Sequence, residues 1–154
     1  MMKKKISFLT PTFNRSNNFL PQTIKSIQNQ REPFFDHEHI IIDDNSSDDT
    51  ESIIKEFIKN DPRIIYIKMN KNLGPAAALN QALKKAKGNY IWPIDDDDLL
   101  LPHSAWSHLD FLEENELDIA FAYAISIDEN NQIFKDSDKV TFFDNDRKNM
   151  LSHI

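Results

Sequence analysis

YIWPIDDDDLLLP, residues 90 to 102, carries the reading of this chain. An apolar run from Tyr90 to Ile94 stops at Asp95, Asp96, Asp97 and Asp98, and a second apolar run, Leu99 to Leu101, follows without a gap. Carboxylates about 4 Å apart repel by roughly 4 kcal/mol at an effective dielectric near 20. A chain that crowds four of them beside a buried strand must leave them in water or offset the repulsion.

The same punctuation recurs upstream. Ile6 to Thr10 reads as a buried strand that ends at Pro11 and a polar loop, Thr12-Phe13-Asn14. His39 to Ile42 reads as a second strand and stops at Asp43-Asp44. Ile64 to Met69 is a third strand, and Tyr90 to Ile94 a fourth. Between them lie segments of helical period. Phe19 to Gln30 places Leu20, Ile24 and Ile27 on one face, with Pro21 in the first turn. Ile53, Ile54, Phe57 and Ile58 line a second helix, for which Asp48 is the expected N-cap with Glu51 as its capping-box partner. Ala76 to Lys87 is an alanine-rich helix, with Gly88 expected as its left-handed C-terminal cap. Pro102 to Asn115 is a fourth helix. Leu117 to Ile127 reads as a fifth strand region, Asp128 to Gln132 as a turn, and Phe142-Phe143 as a last apolar pair.

Strands alternating with helices predict an α/β fold: a Rossmann-like, three-layer α/β/α sandwich with a mostly parallel sheet. In such folds ligands bind at the carboxyl ends of the strands, where strand order switches. Thr10 to Asn14, Asp43 to Asn45 and Asp95 to Asp98 are therefore expected along one edge.

Composition narrows the chemistry. With 154 residues the chain fits one domain, and 40% hydrophobic with 28% charged residues is the balance of a soluble globular protein. A net charge of −7 argues against a nucleic-acid partner. There is no cysteine, hence no disulfide or thiolate chemistry. Lys3 to Lys5 precede an apolar run far too short for a signal peptide or a membrane span, so the expected location is cytoplasmic. The two glycines, Gly74 and Gly88, are too few and too far apart for a dinucleotide fingerprint or a P-loop. A bound diphosphate would need another counter-charge.

Hard oxygen ligands at a sheet edge suit a divalent cation of the magnesium or manganese type. Asp95 and Asp97, at i and i+2, can converge where a strand turns into a loop. The cation would cancel their repulsion and bridge to a diphosphate, making it a good leaving group. Read alone, the four aspartates fit a solvated turn that caps the next helix equally well. Asp43-Asp44 is more often a turn, His103 and His108 more often helix surface, and Trp92 and Trp106 more often core than sugar platforms. The weight lies in polar clusters at three strand ends.

Three segments in register, SFLTPTFNRSNNFLPQTIKSIQNQ (7–30), HIIIDDNSSDDT (39–50) and NLGPAAALNQALKKAKGNYIWPIDDDDLLLP (72–102), resemble the nucleotide-sugar half of family-two inverting glycosyltransferases with the GT-A fold. The resemblance covers roughly residues 5 to 125. It implies that Thr10, Pro11, Thr12 and Asn14 lie under the nucleotide base and that Asp44 hydrogen-bonds a uracil ring. The Asn72-Leu73-Gly74 turn and Asn80 would flank the nucleotide. Asp95 to Asp97 match an aspartate-x-aspartate motif, with Asp95 and Asp96 near ribose and diphosphate and Asp97, with Asp95, on a manganese or magnesium ion. The implied reaction moves a sugar from a nucleotide-diphosphate donor, a UDP-sugar first, to an acceptor with inversion, as in polysaccharide biosynthesis.

Two departures from the family pattern stand out. Many relatives carry Arg-Asn where this chain has Leu79-Asn80, which removes a cation near the donor. Relatives also run on by about half this length again, through an acceptor site and a catalytic base. Residues 1–154 therefore read as one donor-binding domain, truncated at the C-terminus, with no residue after Asp98 that matches a base. Asp128, Glu129, Asp136 and Asp138 are the carboxylates on hand. The expected partners are the donor, a glycan, lipid or protein acceptor, the inner face of the membrane, and a second copy of the chain. The rival reading is a non-catalytic nucleotide- or metal-binding module that needs a partner chain. Receiver domains and aspartate-nucleophile phosphatases want an acidic pair or nucleophile after strand one, where this chain has Thr10-Pro11-Thr12.

Overall fold

The computed structural model describes residues 4–16, 19–30, 35–121 and 124–133. Its elements run β1 (Lys4–Thr12), α1 (Phe19–Gln28), β2 (Phe35–Asp43), α2 (Thr50–Asn60), β3 (Ile64–Lys68), α3 (Pro75–Leu83), β4 (Tyr90–Pro93) and α4 (Ser104–Glu114). The four strands form one parallel sheet in the order β3-β2-β1-β4. After β3 the chain crosses back to the far side of β1, so strand order switches between β1 and β4. The carboxyl ends of these two strands are where the first and third polar clusters begin.

Burial follows position in the sheet. β1 and β2 are central and carry near-continuous buried runs, whereas β3 and β4 are only partly buried. Side chains alternate between two faces. Ile6 and Phe8 of β1 pack with Ile27 of α1 and with Ala105 and Leu109 of α4. Ile41 of β2 packs with Leu20 and Ile24 of α1 and Ile54 of α2. Leu9, Ile40 and Ile42 point to the opposite face, onto Ala78 and Ala82 of α3. The small alanines let α3 lie close against the sheet.

Several expectations are corrected. Pro11 was expected to begin a loop, but β1 continues through it, with Pro11 opposite Ile42 and Thr12 opposite Asp43. The Leu9 carbonyl accepts from Ile94 on the β4 side. Two residues on, the Pro11 nitrogen faces that side beyond the end of β4, where no donor is required. The N-cap of α2 is Asp49, without a side-chain cap bond. Asp48 accepts instead from the Thr50 amide and hydroxyl and from the Ser16 amide. Glu51 pairs with Lys55 and Lys68 rather than closing a capping box. Helix α3 ends at Leu83 with Lys84 in right-handed geometry, so Gly88 is not its cap. Gly88 is required for another reason: a Cβ there would lie 2.6 Å from the Ser7 amide nitrogen.

The fifth strand is absent among the described residues of 117–127, whose pairing is the single antiparallel bridge Ile127–Ile133. The open edge of β4 offers little to join. Ile94 points its N–H at β1, so Pro93 faces outward and brings no donor. Leu117, Ile119 and Phe121 instead line a groove of about 880 Å³ between β4 and α4. The turn at 128–132 forms as expected, closed by Asp128 N–H to the Gln132 carbonyl at 2.9 Å. Phe142-Phe143, Asp136 and Asp138 lie outside the described residues.

Candidate functional site

The acidic segment is folded onto the end of β1. Thr12 and Thr10 alternate with Pro11, so both point to the face that α1 covers. Thr12 Oγ1 donates to Asp96 Oδ2 at 2.7 Å. Thr10 is one turn of the pleat deeper and fully buried, paired at 2.9 Å with His39 Nε2. Residues 95–98 form a tight turn closed by the Asp98 amide on the Asp95 carbonyl. Its effect is to separate the carboxylates: Asp96 is buried at 7% exposure, whereas Asp95, Asp97 and Asp98 are exposed.

Burial pushes the Asp96 carboxyl above the usual range, against the pull of the Thr12 hydrogen bond and the Arg15 charge, and neighbouring Asp97 and Asp95 push it further. Partial desolvation, then Asp95 and Asp97, raise Asp98 as well. Asp96 is therefore the group most in need of a partner, and Arg15 provides one. Arg15 Nε lies 3.3 Å from Asp96 Oδ1 and Nη2 lies 3.3 Å from Asp97 Oδ2. Arg15 and Asp97 are about as exposed as ordinary surface pairs, for which such contacts contribute 0–1 kcal/mol as a rough range. Sequence reading found Arg15 uninformative and gave it no role; the fold brings it to this turn as a counter-charge.

Helix α1 clamps the segment from below with a polar stripe. Thr23 donates to the Asp96 carbonyl at 3.0 Å, Ser26 Oγ accepts from the Leu100 amide at 3.1 Å, and Gln30, just past the helix, bonds the Leu101 carbonyl and the Ala105 amide. Spacing of i, i+3 and i+7 puts these side chains on one face. That spacing was the available signal.

The second cluster is built by β2. Asp43 accepts from the Ser46 amide and from the Tyr66 hydroxyl. Asp44, 3% exposed, accepts from the Leu73 amide at 2.8 Å and the Gly74 amide at 2.6 Å, one per carboxylate oxygen. It thereby holds the Asn72-Leu73-Gly74 turn and places a negative charge at the start of α3. Gly74 takes φ 85° and ψ 164°, a region open only to glycine at low cost.

The first two clusters are stitched together. Asn14, at φ 52°, donates its amide to Ser46 Oγ and accepts at Oδ1 from the Ser47 amide. The Arg15 amide donates to Thr50 Oγ1 at 2.9 Å. Thr12, Asn14, Asp44, Asp95, Asp96 and Asp97 thus border one strand-end rim. Asn80 is exposed on α3, and among the described residues no hydrogen bond ties it to that rim.

Among the described residues no three acidic, histidine or cysteine side chains converge into a ready-made metal group. The donor set nevertheless fits a hard divalent ion that takes one or two carboxylates and draws its other ligands from phosphate and water. Asp95 and Asp97 are exposed, stand two positions apart on the same turn and offer only oxygen. His103 and His108 are not candidates: His103 is the left-handed N-cap residue of α4, and His108 bonds the Ser104 carbonyl and rests on Trp92 at 4.8 Å. Trp92 packs against the core beside Phe8. The β4 groove shares no residue with the rim. No helix among the described residues is long and apolar enough to cross a membrane.

The family described as Glycosyl transferase family 2 matches residues 7–153. An uncharacterized glycosyltransferase of Methanocaldococcus jannaschii is 36% identical over 137 residues, which are 88% of this chain and 47% of that protein. The GalNAc(5)-diNAcBac-PP-undecaprenol beta-1,3-glucosyltransferase of Campylobacter jejuni is 47% identical over 98 residues, 63% of this chain and 31% of that one. The chain thus spans about half or less of the length of these curated relatives. Among solved structures, S. aureus TarS 1-349 in complex with UDP-GlcNAc superposes with a TM-score of 0.66 at 27% identity, covering 73% of this chain and 32% of that one.

Proposed function

The chain belongs to glycosyl transferase family 2 and has the GT-A fold, and from that premise we propose that it is a donor-binding domain for a uridine-diphosphate sugar, using a divalent cation and serving transfer with inversion. The observation that carries this reading is the Thr12–Asp96 hydrogen bond, which brings the acidic turn to the switch between β1 and β4. A 27%-identical neighbour described as bound to UDP-GlcNAc supports the uridine assignment.

Each residue of the rim has a task in this reading. Asp44 holds the 72–74 turn and keeps lone pairs for a base N–H beside it. Thr12 and Arg15 fix Asp96, which would stand near the ribose and diphosphate. Thr10 and Pro11 act from beneath as the floor; Asn14 locks that floor to the end of β2. Asn80 borders the nucleotide from α3. Asp97 and Asp95 would hold manganese or magnesium, which when bound neutralises charge on the departing diphosphate. The carboxylate that deprotonates the acceptor is not assigned. Asp128 accepts from the Asn130 and Gln132 amides of its own turn.

The test is thermal unfolding with UDP, GDP or neither, each with and without manganese. A ligand at one hundred times its dissociation constant adds about 2.7 kcal/mol. We expect stabilisation with UDP and manganese together and loss of its metal-dependent part in Asp97→Ala. An equal shift without metal would refute the role of Asp97. No shift with any nucleotide would refute donor binding.

A further inference from the structure

We propose that Arg15 is a resident counter-ion of the donor site, which holds the place of the metal at Asp97 and gives it up when the metal arrives. The inference rests on the metal-dependent reading of the site given above.

The two contacts of the guanidinium are unequal. At Asp96 it meets a buried carboxylate already fixed by Thr12, in a low-dielectric position that favours a permanent partner. At Asp97 it meets a carboxylate whose side chain is 46% exposed, at 3.3 Å and in water. The second contact is the one a divalent ion can displace, because the ion carries twice the charge and binds oxygen at shorter range. The backbone of Arg15 is anchored independently, by its amide on Thr50 Oγ1. Releasing Asp97 therefore frees only the Nη2 side of the head, with Nε still on Asp96 and the loop still fastened. The freed edge of the fork is suited to diphosphate oxygens. In this way an acidic rim remains compact when empty, and this chain has a cation near the donor although Leu79 stands where relatives carry arginine.

The proposal predicts that Arg15 opposes metal binding in the absence of nucleotide and assists nucleotide binding in its presence. The probe is Mn²⁺ alone, followed by electron paramagnetic resonance of the free ion, on the full chain. Arg15→Gln should bind Mn²⁺ three- to tenfold more tightly than the parent, and should bind UDP with Mn²⁺ severalfold more weakly. Lys55→Gln removes the same charge on α2 and should leave Mn²⁺ affinity unchanged. An unchanged or weaker Mn²⁺ affinity in Arg15→Gln, or an equal gain in Lys55→Gln, overturns the proposal. Asp97→Ala separates the two readings. If it leaves Mn²⁺ binding intact, the metal reading itself fails. If it abolishes binding while Arg15→Gln brings no gain, only the role of Arg15 fails. The unmodified chain offers a second measurement: titration with Mg²⁺ should shift the Arg15 Nη resonances in step with the Asp97 carboxylate carbon, and Nη signals that stay still overturn the proposal.

Discussion

Thr12 and Asp96 are 84 positions apart in the chain and 2.7 Å apart in space, with the hydroxyl of one donating to the buried carboxylate of the other. Replacing Thr12 by valine keeps the shape and removes the donor. Leaving a buried polar group unpaired costs about 1–3 kcal/mol, more when charged. Thr12→Val should lose at least that much stability in urea unfolding, whereas Thr12→Ser should recover most of it. Equal stability of the valine variant and the parent would show that Arg15 alone satisfies Asp96.

Asp44 presents one oxygen to each of two backbone amides. In Asp44→Asn one of those amides meets an NH₂ group instead of an acceptor. We expect a loss of about 1–3 kcal/mol and faster hydrogen exchange at the Leu73 and Gly74 amides. Unchanged exchange there would contradict the anchoring role of the carboxylate.

The two glycines should fail for different reasons. Gly88→Ala drives a Cβ to within 2.6 Å of the Ser7 amide nitrogen and 2.9 Å of the Ile6 carbonyl carbon. Backbone on both sides must move, at a typical overpacking cost of about 1–3 kcal/mol. Gly74→Ala meets open space but strains a φ of 85°, also at about 1–3 kcal/mol. A crystal structure of Gly88→Ala should show β1 and the start of β4 spread apart. Gly74→Ala should instead disturb the turn on Asp44.

His39 is fully buried, with Nε2 on Thr10 and Nδ1 without a hydrogen-bond partner. Burial, aided by His37 and opposed by Asp61, pulls its pKa down to about 3. The unfolded chain protonates this imidazole below about pH 6.5, while the folded chain resists until about pH 3. Protons therefore favour unfolding throughout that window. Stability should fall by about 2 kcal/mol from pH 7 to pH 5 through this group alone. In His39→Leu that part of the pH dependence should vanish. Depressed carboxylates add a separate loss at lower pH: Asp61, held down chiefly by Arg63, and Asp48, where the upward push of burial is outweighed by bonds from Thr50 and Ser16 that together lower it to about 2, keep their contribution above about pH 4 and lose it below.

What the amino-acid order determined by itself was local. Apolar runs such as Ile40 to Ile42 and amphipathic spacing such as Leu20, Ile24 and Ile27 specify strand and helix through periods of two and 3.6 residues. Those periods, with the motif resemblance, were enough for the α/β sandwich and for the acidic strand ends. Tertiary structure decided what depends on distant partners. Nothing near Asp96 in the chain distinguishes it from Asp95 or Asp97; it is the buried one because Thr12, Thr23 and Arg15 reach it from more than 70 positions away. Gly88 resembles a helix cap by its neighbours and is a close-approach glycine because β1 passes beside it. Residues 117–121 alternate like a strand, yet a strand needs a ladder, and the edge they would join turns Pro93 outward. Side-chain period is written along the chain, whereas hydrogen-bond partners and the dielectric around a charge are set only once the chain has folded.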